Sequence, residues 1–140
     1  MAEIHHELKI KASPEQVFEA LTTGQGLKSW HSPQVEGDGA PGHAWRFVFS
    51  GRPTFRWQVA KTTLPTQVAW RCVEGPGDSV GTTVSFRLSN AGEDRTLVEL
   101  VHSGWPGTHG NFHKCNTYWG ILLHHLRQYV ETGTPRPAFE

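Results

Sequence analysis

The last stretch of this chain limits its folding options more than any other. Residues 110–133 read Gly-Asn-Phe-His-Lys-Cys-Asn-Thr-Tyr-Trp-Gly-Ile-Leu-Leu-His-His-Leu-Arg-Gln-Tyr-Val-Glu-Thr-Gly. Phe112, Cys115, Trp119, Leu122, Leu123, Leu126 and Val130 recur at spacings of three and four, which puts them on one face of an α-helix, while Lys114, Thr117, Arg127, Gln128 and Glu131 point elsewhere. At about 1.5 Å per residue such a helix runs roughly 33 Å, close to the diameter of a small domain. The middle of the chain reads as strands, so a helix this long must lie across a sheet to bury its apolar stripe. Function then turns on whether the seam between helix and sheet is solid or hollow.

Ahead of that helix the patterns are short. Ile4, His6, Leu8 and Ile10 alternate with His5, Glu7, Lys9 and Lys11, the period-two signature of a half-buried strand. Ser13 then serves as N-cap, Pro14 takes the first helical position and Gln16 completes a capping box, with Val17, Phe18 and Leu21 on the apolar face. Residues 22–26 break this helix, residues 27–31 add one further turn, and residues 32–42 form a Pro/Gly-rich loop. From 43 to 105 the signals are of strands. Trp45, Phe47 and Phe49 alternate with Arg46 and Val48, and Phe55, Trp57 and Val59 with Arg56 and Gln58. Val68, Trp70 and Cys72 follow the same rule, as do Val84, Phe86 and Leu88, then Val98, Leu100 and His102. Turn clusters at 74–78 and 90–94 separate the later runs, and no crossover helices are present, so the sheet is an antiparallel meander.

Lysine plus arginine and aspartate plus glutamate are equal at 13 each, a balance that points to neither nucleic acid nor an anionic membrane surface. No apolar run approaches the roughly 18 residues of a membrane span, and the start, with Glu3, His5, His6 and Glu7, lacks a secretory hydrophobic region. The expectation is a cytoplasmic protein with a single domain over residues 1–140, large enough for a real core. Cys72 and Cys115 are expected as buried, reduced thiols, not as a disulfide scaffold. Whether a homodimer forms stays open.

Six tryptophans are the second constraint. Trp45, Trp57 and Trp70 fall on the apolar parity of successive strands, Trp105 ends the last strand, Trp119 sits mid-helix and Trp30 follows the first helix pair. Each buried Trp removes about 150–250 Å² from water, more than a helix-on-sheet seam usually needs, and its indole N–H wants a partner. Such a set packs solid or walls a cavity. The candidate ligand-binding residues are Trp30, Trp45, Phe47, Trp57, Trp70 and Phe86, with Phe112, Trp119 and Leu122 of the helix, around an apolar volume of roughly 300–1,000 Å³. His102 and Asn116 would be its few polar contacts.

The order strand, two short helices, antiparallel strands, long C-terminal helix resembles the helix-grip fold of the birch-pollen-allergen and steroidogenic-lipid-transfer superfamily (SRPBCC, START-like). Particular phrases sharpen the likeness: residues 10–22 (IKASPEQVFEALT), 27–30 (LKSW), 102–105 (HSGW), 118–123 (YWGILL) and 129–133 (YVETG). Together they resemble the family named for the activator of the 90-kDa heat-shock-protein ATPase, from about Ile4 to Gly133. The resemblance implies an α+β helix-grip fold, a curved antiparallel sheet wrapped around the long C-terminal helix, with an apolar cavity between them. It therefore implies binding of a small hydrophobic or aromatic ligand. The founding co-chaperones carry this domain beside a separate N-terminal domain, for which 140 residues are expected to leave no room.

Catalytic signatures are sparse. His109 and His113, at i and i+4, could chelate with Cys115 nearby, but no Glu stands between them in the HExxH manner and no third ligand supports them, so no metal or other cofactor is expected. His124 and His125 are adjacent and face about 100° apart on a helix. No Gly-x-Ser-x-Gly elbow occurs, and the glycine-rich stretch 37–42 contains a proline and leads into a strand, unlike a phosphate cradle. Acid–base work would fall to His102 with Arg46, Arg56 or Arg71, yet parity places those arginines on the outer face. His102 itself faces the helix, as ligand contact or as satisfied core histidine. No catalytic residue is assigned, and the alternatives to ligand binding are a cyclase- or hydratase-like enzyme using the same cavity and a co-chaperone-like interaction module.

Overall fold

The computed structural model describes residues 2–139. In β1 (Ala2–Ile10) Ile4 and Ile10 are buried while Glu3, His5, Glu7 and Lys9 are exposed, so the strand is half-buried as its alternation requires. α1 (Pro14–Thr22) begins at the capping box: the Ser13 hydroxyl oxygen accepts from the Gln16 amide at 3.2 Å, and the Gln16 side chain accepts from the Ser13 amide at 3.0 Å. The segment read as a helix break holds a second start. Thr23 ends α1 and its hydroxyl accepts from the Gly26 amide at 3.0 Å, so α2 (Gly24–Trp30) begins before Leu27.

Six further strands follow: β2 (Val35–Gly37), β3 (Ala44–Phe47), β4 (Phe55–Thr63), β5 (Gln67–Glu74), β6 (Thr83–Asn90) and β7 (Thr96–Trp105). All pairings are antiparallel, in the order β1-β7-β6-β5-β4-β3-β2. α1 and α2 therefore carry the chain from one sheet edge to the other. β2 was hidden in the stretch read as a loop, because three residues beside Pro and Gly show no periodicity; Val35 pairs with Phe47 and is buried. α3 (Asn111–Thr132) crosses the sheet and buries Trp119, Leu122, Leu123 and Leu126. It ends at Gly133, whose φ of +75° suits a left-handed cap and whose N–H donates to the Tyr129 carbonyl at 2.7 Å. No helix among the described residues is long and apolar enough to cross a membrane.

Two local features position the seam. His102 and Trp105 are three residues apart, which strict alternation would put on opposite faces, yet both are buried. Gly104, at φ +90°, makes a bulge: Ala2 stands opposite Trp105 and Ile4 opposite His102, so β7 holds one residue more than β1 there. The second feature is the tail after α3. Its Arg136, Ala138 and Phe139 amides donate to the carbonyls of Ser29, Trp30 and His31 at 2.8, 3.0 and 3.0 Å, satisfying the end of α2 and bringing Phe139 back over the sheet.

Candidate functional site

Around His102 the seam is closely packed, with Trp119 at its border. The Trp119 indole N–H donates to His102 Nδ1 at 3.0 Å, which fixes the other ring nitrogen as the one carrying hydrogen. His102 Nε2–H then donates to the Thr82 hydroxyl at 2.7 Å, and that hydroxyl donates to the Ser79 carbonyl at 2.6 Å. Both nitrogens of the imidazole are thus satisfied within the core, and burial pushes its pKa down to about 4. Trp70 and Phe86 fill the space beside it, their rings 5.2 Å apart and almost fully buried. This is a neutral structural histidine.

Toward α2 the same seam opens into a cleft of about 260 Å³, just below the usual ligand-pocket range of roughly 300–1,000 Å³. Its floor is Phe47 and Trp57 on the sheet, with Trp119 and Leu122 on α3. Its flanks are half-buried aromatics: Phe49 beyond β3, Phe55 at the start of β4, Tyr118 on α3 and Phe139 from the tail. These rings meet edge to face, with Phe49–Phe139 at 5.1 Å, Tyr118–Phe139 at 5.4 Å and Phe49–Phe55 at 6.3 Å between centroids. Exposed Arg52, Pro53 and Lys114 form the mouth. Arg52 lies over the Tyr118 and Phe139 rings, its carbon 5.3 and 5.2 Å from their centroids, and donates to the Tyr118 hydroxyl at 2.8 Å.

One polar group sits inside the wall. His31, at the end of α2, is only 3 % exposed, stacks on Phe47 with centroids 4.2 Å apart, and its Nδ1 has no partner among the described residues. Burial pushes its pKa down to about 3, so at neutral pH it is an uncharged imidazole. An unsatisfied buried nitrogen of this kind costs about 1–3 kcal/mol. Cys115 also lines the cleft, but burial, with the negative neighbourhood of Cys72 and Asp78, pushes its thiol up to about 12, and burial raises Cys72 to about 11. Neither thiol is an activated nucleophile.

Of the candidates drawn from the sequence, Phe47, Trp57, Trp119 and Leu122 line the cleft. The others lie elsewhere. Trp70, Phe86 and His102 belong to the solid half. Trp30 is fully buried at the α1–α2 junction, its indole donating to the Ala20 carbonyl at 2.8 Å. Trp45 is buried against Gly24 and Gly39, and Phe112 packs edge-on against Trp105 at 5.9 Å. Asn116 is exposed and its side-chain oxygen accepts from His6 of β1 at 2.9 Å. At about 100° per residue Asn116 lies roughly 60° to one side of Trp119, whereas Tyr118 and Leu122 lie to the other, so the cleft opens along the opposite flank of the helix. His109 precedes α3 and shares no helical face with His113, and among the described residues no three His, Cys, Asp or Glu side chains are placed to hold a metal ion. The indoles of Trp45 and Trp105 are buried without a partner among the described residues, and neither reaches the cleft.

The residues that sequence reasoning missed include His31, Phe49, Arg52, Phe55, Tyr118 and Phe139, with Asn111 and Lys114 on a flank of α3 outside its apolar stripe. Phe49 and Phe55 carried a signal, since each continues the parity of a strand already chosen. His31, Arg52 and Phe139 come from a helix end, a loop and the tail, where no periodicity marks the face.

A sheet gripping one long C-terminal helix, with an apolar cleft in the seam, defines a helix-grip domain of the SRPBCC type. The family described as Activator of Hsp90 ATPase homolog 1-like protein matches residues 11–131, and the chain belongs to that family. Among solved structures, the Aha1 dimer from Colwellia psychrerythraea is 35 % identical with a TM-score of 0.87, covering 95 % of this chain and 98 % of that one. A Bacillus halodurans protein, BH1534, is 26 % identical with a TM-score of 0.73, covering 94 % and 98 %. CalU16 from Micromonospora echinospora, at 22 % identity and a TM-score of 0.75 over 96 % of this chain and 77 % of that one, shares the fold. No curated protein matches the chain.

Proposed function

We propose that the chain binds a small hydrophobic, aromatic molecule in the cleft between α3 and the sheet, in the cytoplasm. The observation that carries this reading is the aromatic-walled space of about 260 Å³ lying beside the buried aromatic core. A flat aromatic guest would continue the edge-to-face contacts of Phe49, Phe55, Tyr118 and Phe139 and displace water that those rings cannot hydrogen-bond. Binding is favoured over proton-transfer catalysis because the acid–base group nearest the guest, His31, is held neutral, and the thiol there is held protonated. A homodimer is supported by the dimeric Colwellia protein and is checked by sedimentation.

Titration of apolar and aromatic compounds, followed by tryptophan fluorescence and melting temperature, tests the reading. A guest should quench Trp57 at the cleft floor and raise the melting temperature by mass action. If no compound does either, ligand binding gives way to an interaction module.

A further inference from the structure

Among the described residues the mouth of the cleft carries cations only: Arg52 and Lys114 are the charged side chains lining it, and none of the lining residues contributes a carboxylate. Among the described residues neither cation forms an ion pair. The Tyr118 hydroxyl holds one guanidinium N–H, which leaves the rest of the Arg52 fork free, and Lys114 stands one helical turn before Tyr118 on α3. Asp78 lies outside the lining, its carboxylate accepting from the Asn111 side-chain amide at 3.2 Å. Asn111 and Tyr118 are seven residues apart, about 10 Å along the helix, so this acid stands well away along the helix from the Arg52–Tyr118 contact. The His31 ring lines the same space, and the Phe139 ring lies 6.0 Å from it and 5.2 Å from the Arg52 carbon.

We propose that the guest of this cleft is an aromatic carboxylic acid, its ring body between Phe47 and Trp119 and its carboxylate at the mouth on Arg52 and Lys114, away from Asp78. This deepens the binding reading above and rests on it. The Arg52 fork matches a carboxylate, and fixing that fork over two aromatic rings spares the ordering that a free surface arginine would need.

Calorimetric titration with 2-naphthoate and its uncharged isostere 2-naphthamide separates the possibilities. Naphthoate should bind at least about tenfold more tightly, with an advantage that shrinks as salt is raised. The double variant Arg52→Met, Lys114→Met should erase that advantage and leave naphthamide affinity within about twofold, while Arg52→Lys should restore part of it. Equal binding of the two probes, or an equal loss of both in the double variant, would overturn the carboxylate assignment and leave the cleft reading standing. If neither probe binds the unmodified protein, the cleft reading falls and takes this proposal with it.

Discussion

In the half of the seam around Trp119, indole, imidazole and threonine hydroxyl satisfy one another in a chain that ends on the Ser79 carbonyl; in the half around His31, the imidazole keeps an unpartnered nitrogen and the rings stand around empty space. Both halves are built from the same materials, a buried histidine among aromatics under one helix. They differ in what closes them. The solid half is walled by strands β4 to β7 in register, whose side chains approach from fixed spacings and interdigitate. The hollow half is walled by the end of α2, the loop after β3 and the tail, which meet the helix from irregular directions and leave a gap. A packed sheet face thus satisfies both nitrogens of one histidine, and a loop-built rim leaves the other with an unpartnered nitrogen among the described residues.

The largest expected effect breaks the solid half. Trp119→Ala should cost about 3–5 kcal/mol in urea unfolding, since it opens a cavity and also strands His102 Nδ1. A loss below about 1 kcal/mol would show that the Trp119–His102 side is no better packed than the His31 side.

Acid sharpens the comparison next. The unfolded chain protonates both histidines near pH 6.5, whereas the folded chain refuses those protons down to about 4 for His102 and about 3 for His31. Stability is therefore fully present above pH 6.5 and falls below it, by about 1.4 kcal/mol per pH unit for each histidine until its folded value is reached. At pH 4.5 the loss should be about 2–3 kcal/mol per histidine, and His31→Phe should remove the share of one of them. A flat profile between pH 6.5 and 4.5 would contradict the burial of both.

The smallest effect is expected on the rim. Phe139→Ala should lower stability by no more than about 1 kcal/mol, because the ring is half-buried and borders space, while enlarging the cleft and weakening naphthoate binding. A core-sized loss would mean that the tail is a structural strap first.

The sequence carried the fold because its decisive features are periodic. The helix stripe, the strand alternations and the Ser13–Gln16 box each describe one element and the face it buries, and antiparallel order follows from the short turns. Parity placed Trp45, Trp57 and Trp70 on buried strand faces, and the helix stripe did the same for Trp119; their depths it could not tell, since facing inward says nothing of whether the opposite wall is present. That wall depends on where loops return. His31 ends the short turn of residues 27–31, and Arg52 and Phe139 lie outside every periodic run. Asn116 was misplaced by only about 60° of helix rotation, enough to send it to β1 instead of the cleft. The Gly104 bulge shifted the register that placed Trp105, a change of one residue that alternation alone cannot foresee.

The most direct test of the contrast is the set of tryptophan indole N–H signals in a nitrogen–proton correlation spectrum, followed as 2-naphthoate is added. Trp57 and Trp119 border the cleft, whereas Trp30, Trp70 and Trp105 lie in packed core, so one spectrum watches both regions. The account predicts shifts at Trp57 and Trp119 that saturate with the calorimetric affinity, while Trp30 and Trp105 stay in place. Movement centred on Trp105 or Trp30, with Trp57 unmoved, would contradict it.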